Sequence, residues 1–182
     1  MQKKYDTTVL GLYVLDILGR PISKIPEGGN LAYIEELRLT VAGTAGGTVV
    51  DCAKLGVSTL GVGAVGDDEK ADFVISTLEK FGVDTSGFER LKGIPTSSTI
   101  LNIRPNGERP ALHLRGACDH FLPPKKEKVD IFDCKVFHLG GTGLLKLLDG
   151  QVSVDLLKEA KDRDCITTWD LIGATEETID IV

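Results

Sequence analysis

The sequence predicts an α/β fold: a central, mostly parallel β-sheet between helices, with a small second β-sheet beside it. Three observations carry this. Strand-like and helix-like segments alternate along most of the chain, the order of a parallel sheet whose crossovers are helices. Two strand-rich excursions, at about residues 14–41 and 96–115, interrupt the alternation and form a secondary sheet of their own. Gly-rich or polar turns follow several apolar strands, where open parallel sheets bind ligands.

Each element follows in order. TTVLGLYVLDI (residues 7–17) is apolar and β-branched, so it is assigned as the first strand, with Asp16 at its end. Pro and Gly make GRPISKIPEGGN a loop. YIEELRLTV alternates Ile34, Leu37, Leu39 and Val41 with polar residues, a strand with one wet face. AGTAGG (42–47) then precedes a helix through TVVDCAKLG, where Val49, Val50 and Ala53 share a face and Gly56 is the stop. Those glycines fit either a tight turn that lets the helix lie close on the sheet or a loop whose amides approach a polar ligand. VSTLGVGAVG is a strand, and DDEKADFVISTLEKFG a helix with Val74, Leu78 and Phe81 on one face. Asp67 and Asp68 read as an N-cap and first-turn acid rather than a metal site. TSSTILNIR and RPALHLRG are strands of a hairpin closed by PNGE. KVFHLGG is a buried strand in which His138 is a core histidine, followed by the helix VSVDLLKEAKDRD, the strand CITTWDL and a helix start in TEETIDIV. Asp170, at the end of CITTWDL, is read either as a turn cap or as a group near a ligand.

Composition excludes several classes. A net charge of −6 argues against nucleic acid or an anionic membrane as partner. No apolar run approaches the roughly 20 residues that span a bilayer. The four cysteines, Cys52, Cys118, Cys134 and Cys165, form no C-x-x-C pair, so zinc or disulfide spacing is absent and a reduced, cytoplasmic setting is expected. A dinucleotide-binding domain needs G-x-G-x-x-G directly after the first strand, and GLYVLDILGRP does not supply it.

The run AGTAGGTVVDCAKLGVSTLGVGAVGDDEKADFVISTLEKFGVDTSGF resembles the N-terminal signature of the ribokinase (PfkB) family of carbohydrate kinases. TSSTILNIRPNGERPALHLRGA is similar to the hairpin that follows in that family, and VFHLGGTGLL and ITTWDL to its next two sheet strands. The resemblance covers essentially the whole chain. It implies a ribokinase-like fold with a β-sheet lid, and transfer of the γ-phosphoryl of ATP, with Mg²⁺, to a hydroxyl of a sugar, sugar acid or nucleoside.

By position, Asp16 resembles the family acid that accepts hydrogen bonds from sugar hydroxyls, and Gly43, Gly46 and Gly47 fall in the loop that faces the sugar. Many members carry Asn where this chain has Gly47, which puts ribose itself in question as substrate. His113 and Arg115 alternate with Leu114, so both face one side of the lid. There they either meet an acidic sugar, as cations do in some members, or form a solvated face. The family's Gly-Ala-Gly-Asp loop, with the anion hole and general base, has no counterpart here, nor has its N-x-x-E segment. The chain therefore reads as the N-terminal portion, residues 1–182, of one such domain. It is expected to hold no catalytic residue and no metal ligand, with most of the ATP and Mg²⁺ site beyond residue 182. A non-catalytic sugar-binding or pairing fragment is the alternative. Lid strands pair between chains in some relatives, which leaves a homodimer open.

Overall fold

The computed structural model describes residues 3–172. In chain order its elements are β1 (Tyr5–Gly11), β2 (Val14–Arg20), β3 (Glu36–Ala42), α1 (Thr44–Lys54), β4 (Thr59–Gly66) and α2 (Glu69–Lys80). There follow β5 (Asp84–Leu91), β6 (Ser98–Asn102), β7 (Ala111–Leu114), a 3₁₀ turn at Ala117–His120, β8 (Cys134–Thr142), α3 (Gln151–Asp162) and β9 (Ile166–Leu171). The expected helix in TEETIDIV lies outside the described residues.

The main sheet has five strands in the order β5-β4-β1-β8-β9, and every neighbouring pair is parallel. Its two faces pack against different partners, because successive strand residues point to opposite sides. Val9 joins a core with Val49 of α1 and Val74 and Leu78 of α2. Leu10 joins the other core, with Phe137 and with Leu156 and Ala160 of α3. Helices therefore cover both faces, as the alternation required.

The second sheet runs β3-β2-β6-β7, with β2–β6 parallel and the outer pairs antiparallel. It gathers both strand excursions into one four-stranded lid.

Two local expectations change, and one strand was not foreseen. TTVLGLYVLDI is two strands in two sheets rather than one, so Asp16 is the third residue of lid strand β2 and does not end β1. The chain leaves the main sheet at Leu12–Tyr13, where the Leu12 amide donates to the Gly140 carbonyl at 2.9 Å. The glycine run is no free loop either, since α1 begins at Thr44 and Gly46 and Gly47 lie in its first turn. Finally, β5 joins the main sheet as an edge strand. Its polar DTSGFERL carries too few apolar residues to announce a strand on its own.

The turn chemistry held. Asp68 caps α2, its Oδ1 accepting the Ala71 amide at 3.1 Å. Val74 and Leu78 are fully buried, but Phe81 is 41% exposed and lies under the Lys54 ammonium, 5.1 Å from the ring centroid. All four cysteines are free, and all but Cys52 are buried.

Candidate substrate site

The lid joins the main sheet where Leu12, Gly43 and Gly140 meet. Gly43 is the N-cap of α1, at φ +83°, and a Cβ there would sit 2.3 Å from the Leu12 carbonyl oxygen. Only glycine takes that backbone shape and that contact without strain. The Gly46 amide donates to the same Leu12 carbonyl at 3.2 Å, and Gly46 is buried against Val41 and Tyr13. Its contribution is thus a close approach of helix to lid, with its donor already committed. Gly47 donates to the Gly43 carbonyl at 2.8 Å, and a Cβ on it would meet nothing within 4 Å. Of the three, position 47 is the one whose side chain would enter open space.

The end of β8 is held against this junction. A Cβ on Gly140 would lie 2.9 Å from the Ala45 nitrogen, so α1 begins directly over it. Asp170 anchors the next residue: its Oδ1 accepts the Gly141 amide at 2.8 Å, and its Oδ2 meets His138 Nε2 at 3.2 Å. His138 Nδ1 pairs with Thr168 Oγ1 at 2.9 Å. His138 is therefore a satisfied structural histidine, and Asp170 clamps the strand-end turn.

Strand register sets the chemistry of the lid. Asp16 lies opposite Thr40 on β3 and Thr99 on β6, and Thr99 lies opposite His113 on β7. Residues opposite one another share a face, so Thr40, Asp16, Thr99 and His113 form one polar row across four strands. On the same face, two residues nearer the main sheet, are Val14 and Ala42, which run directly into Leu12 and Gly43. The polar row is thus one row above the junction, with Val14 and Ala42 between them. The opposite face carries Ile17, Leu39, Ile100 and Leu112, an entirely apolar row.

Within the polar row, Thr99 Oγ1 lies 3.0 Å from His113 Nδ1. Burial pushes the Asp16 carboxyl above its ordinary range, against the opposing pull of the Thr99 hydroxyl and His113. Arg115 falls just beyond the end of β7, and its Nε is bound to Asp119 Oδ2 at 2.9 Å. Asp16 and His113 are brought together, therefore, while Arg115 is tied to the 3₁₀ turn. Sequence reasoning missed Thr99 and Thr40; strand parity, once the pairing is known, is the signal that finds them.

A divalent cation has no ready ligand set here. Among the described residues no group of three or more His, Cys, Asp or Glu side chains could hold one. Asp68 is already engaged by Ala71, Thr96 and Lys70. The same residues contain no helix long and apolar enough to cross a membrane.

Comparison with known proteins agrees with this architecture. The pfkB family carbohydrate kinase model matches residues 9–167. Fructokinase of Solanum tuberosum is 26% identical over 145 residues, which are 79% of this chain and 46% of that protein. Ribokinase of Giardia lamblia superimposes with a TM-score of 0.77 at 17% identity, covering 96% of this chain and 57% of that one. Ribokinase of Arabidopsis thaliana, solved with ribose and ATP, gives 0.75 at 17% identity, covering 94% and 54%. The chain spans about half the length of the curated relatives it matches. With a parallel sheet, a four-stranded lid and a family match over most of its length, the chain belongs to the pfkB family of carbohydrate kinases.

Proposed function

We propose that this chain is the substrate-binding part of an ATP-dependent kinase that phosphorylates a sugar hydroxyl. The observation that carries the reading is the polar lid row that contains Asp16, set one residue pair beyond the Gly43 junction. A carboxylate offers two acceptor oxygens and can hold neighbouring hydroxyls in one orientation. Gly43, with the open space beside Gly47, gives the sugar room at the start of α1. Gly46 supports the site by packing rather than by contact. The curated relatives named fructokinase favour a monosaccharide as the acceptor.

On this reading the 182 residues position the acceptor and supply no catalytic base. Positioning without an anion hole or base forfeits most of the acceleration of phosphoryl transfer. ATP and Mg²⁺ then take their contacts from a second half of the kinase, of the kind that relatives about twice this length possess. The setting is a reducing cytoplasm, consistent with four free cysteines. The exposed apolar lid row, with Leu112 at 64% exposure, is the surface through which two copies pair.

The test is ATP consumption with a panel of monosaccharides, run on this chain and on a version continued through a pfkB second half. Turnover by the longer form alone supports the reading, and turnover by the short chain overturns the claim that the base lies elsewhere. Loss of a dimer in Leu112→Lys, read by sedimentation, checks the pairing surface; a wild-type monomer refutes it.

A further inference from the structure

We propose that Cys134 and Cys165 are a disulfide-forming pair, which closes when the chain folds in the presence of an oxidant and staples edge strand β9 to β8. The pair lies at the end of the main sheet opposite the candidate substrate site, and its chemistry is independent of any substrate.

Strand register brings the two thiols together. Cys134 opens β8, and Cys165 immediately precedes β9. The first registered pair of those parallel strands, Val136 with Ile166, lies just beyond them. Both side chains turn into the core that also holds Phe132, Phe137 and Ala160. Their sulfurs are 3.9 Å apart, and Cys165 Sγ is 3.2 Å from the Cys134 carbonyl oxygen. Rotation about the two Cα–Cβ bonds closes the gap to the ~2.05 Å of a disulfide. The other cysteines are placed elsewhere. Cys118 Sγ meets the Tyr13 carbonyl at 3.1 Å, and Cys52 lies on α1, against the opposite face of the sheet. The fold therefore selects one pair among four free thiols.

Lys3 completes the arrangement. Its ammonium donates to the carbonyls of Phe132 and Arg163 at 3.0 and 2.8 Å and stands 3.8 Å from Cys165 Sγ. A cation there offsets the negative charge carried by that sulfur during exchange. The oxidant is a small disulfide such as oxidised glutathione. The Cys165 thiolate attacks one of its sulfurs, and one glutathione leaves as thiolate. Cys134, having given its proton to solvent, then attacks the Cys165 sulfur and displaces the second glutathione. Two electrons pass from the cysteines to glutathione, which takes up two protons and ends as two thiols. Both cysteines are buried in the finished fold, so exchange belongs to the folding chain and the closed bond is shielded afterwards.

The staple acts on a strand that needs one. β9 pairs with β8 alone among the described residues, and Ile166 and Trp169 on it are exposed. Asp170 already clamps its far end to Gly141, and the disulfide fixes its near end. The bond links residues 31 apart in sequence, which stabilises chiefly by restricting the unfolded chain.

The test refolds the chain from denaturant in a glutathione redox buffer, alkylates the remaining thiols under denaturing conditions and maps linked peptides by mass spectrometry. The expected result is one linked pair, Cys134 with Cys165, with Cys52 and Cys118 recovered alkylated. The oxidised chain is expected to melt roughly 5–10 °C above the reduced one, a difference absent in Cys165→Ala. No linked peptide, or a linkage through Cys52 or Cys118, overturns the pairing. That map is read on the wild-type chain, so it decides the pairing whether or not the variant folds. A linked chain that melts at or below the reduced one overturns the staple while the pairing stands.

Discussion

The carboxylate of Asp170 accepts the amide of Gly141 at 2.8 Å across the β8–β9 pair, and this bond helps to hold the strand end that lies under the start of α1. Gly141 sits at φ +95°, with a position for Cβ only 2.4 Å from Leu12 Cβ, so the turn has a single acceptable shape. Asp170→Ala removes the acceptor for that amide and the partner of His138. It is expected to cost about 1.5–3 kcal/mol of stability, the range for hydrogen bonds to charged groups. Asp170→Asn keeps an oxygen for Gly141 and should cost markedly less. Urea unfolding of the two variants side by side checks the difference.

Asp16 should trade stability for binding. Burial raises its carboxyl above the ordinary range, so the ionised form disfavours the folded state at neutral pH. Its favourable contribution is present at acid pH, below the unfolded value, and is lost as pH rises through the folded one. Asp16→Asn is therefore expected to melt at a higher temperature than wild type at pH 7 and to match it near pH 3, while losing sugar binding. Melting curves across that range, with one binding titration at pH 7, test both halves.

Gly43 and Gly47 lie four residues apart and should respond in opposite ways. Gly43→Ala forces a Cβ onto the Leu12 carbonyl at 2.3 Å and a positive φ, at an expected cost of about 1–3 kcal/mol. Gly47→Asn enters open space within a helix and should stabilise by a few tenths of a kcal/mol. On the proposed function it also adds a side-chain donor and acceptor at the sugar and tightens neutral-sugar binding. Thermal melts and a fructose titration separate these effects.

The buried thiols should be inert in the native state. Burial pushes Cys134 up to about 11, and it also raises Cys118. Cys52 is raised as well, again by burial, but remains half-buried rather than enclosed. Iodoacetamide at pH 7.5 is expected to modify Cys52 first and slowly, with the others labelled only after unfolding. Mass spectrometry of a native time course checks the order.

Local signals told the truth about local features. Asn106–Gly107 between two strand-like runs announced the β6–β7 hairpin, and Asp68 ahead of an apolar-periodic run announced the start of α2. Motif order sufficed for the family, because its turns and caps are each written in a few adjacent residues. The break between β1 and β2 was harder to see. Both strands are apolar, and the Leu12–Tyr13 link that separates them is apolar too.

What the sequence determined alone was the α/β class, the lid segments, the helix caps and the family. Each depends on residues near one another in the chain. Tertiary structure alone decided which of the flagged residues share a surface. Asp16, Thr99 and His113 are far apart in sequence, and only the β2–β6 and β6–β7 registers put them in one row. Gly46 looked like a loop donor until Leu12 took its amide, and the pairing of Arg115 with Asp119 is written nowhere in the local sequence pattern. A one-residue slip in either register would turn the polar row to the opposite face, because strand side chains alternate with period two. That registry is fixed by packing between distant segments, and no single stretch of sequence spells it out.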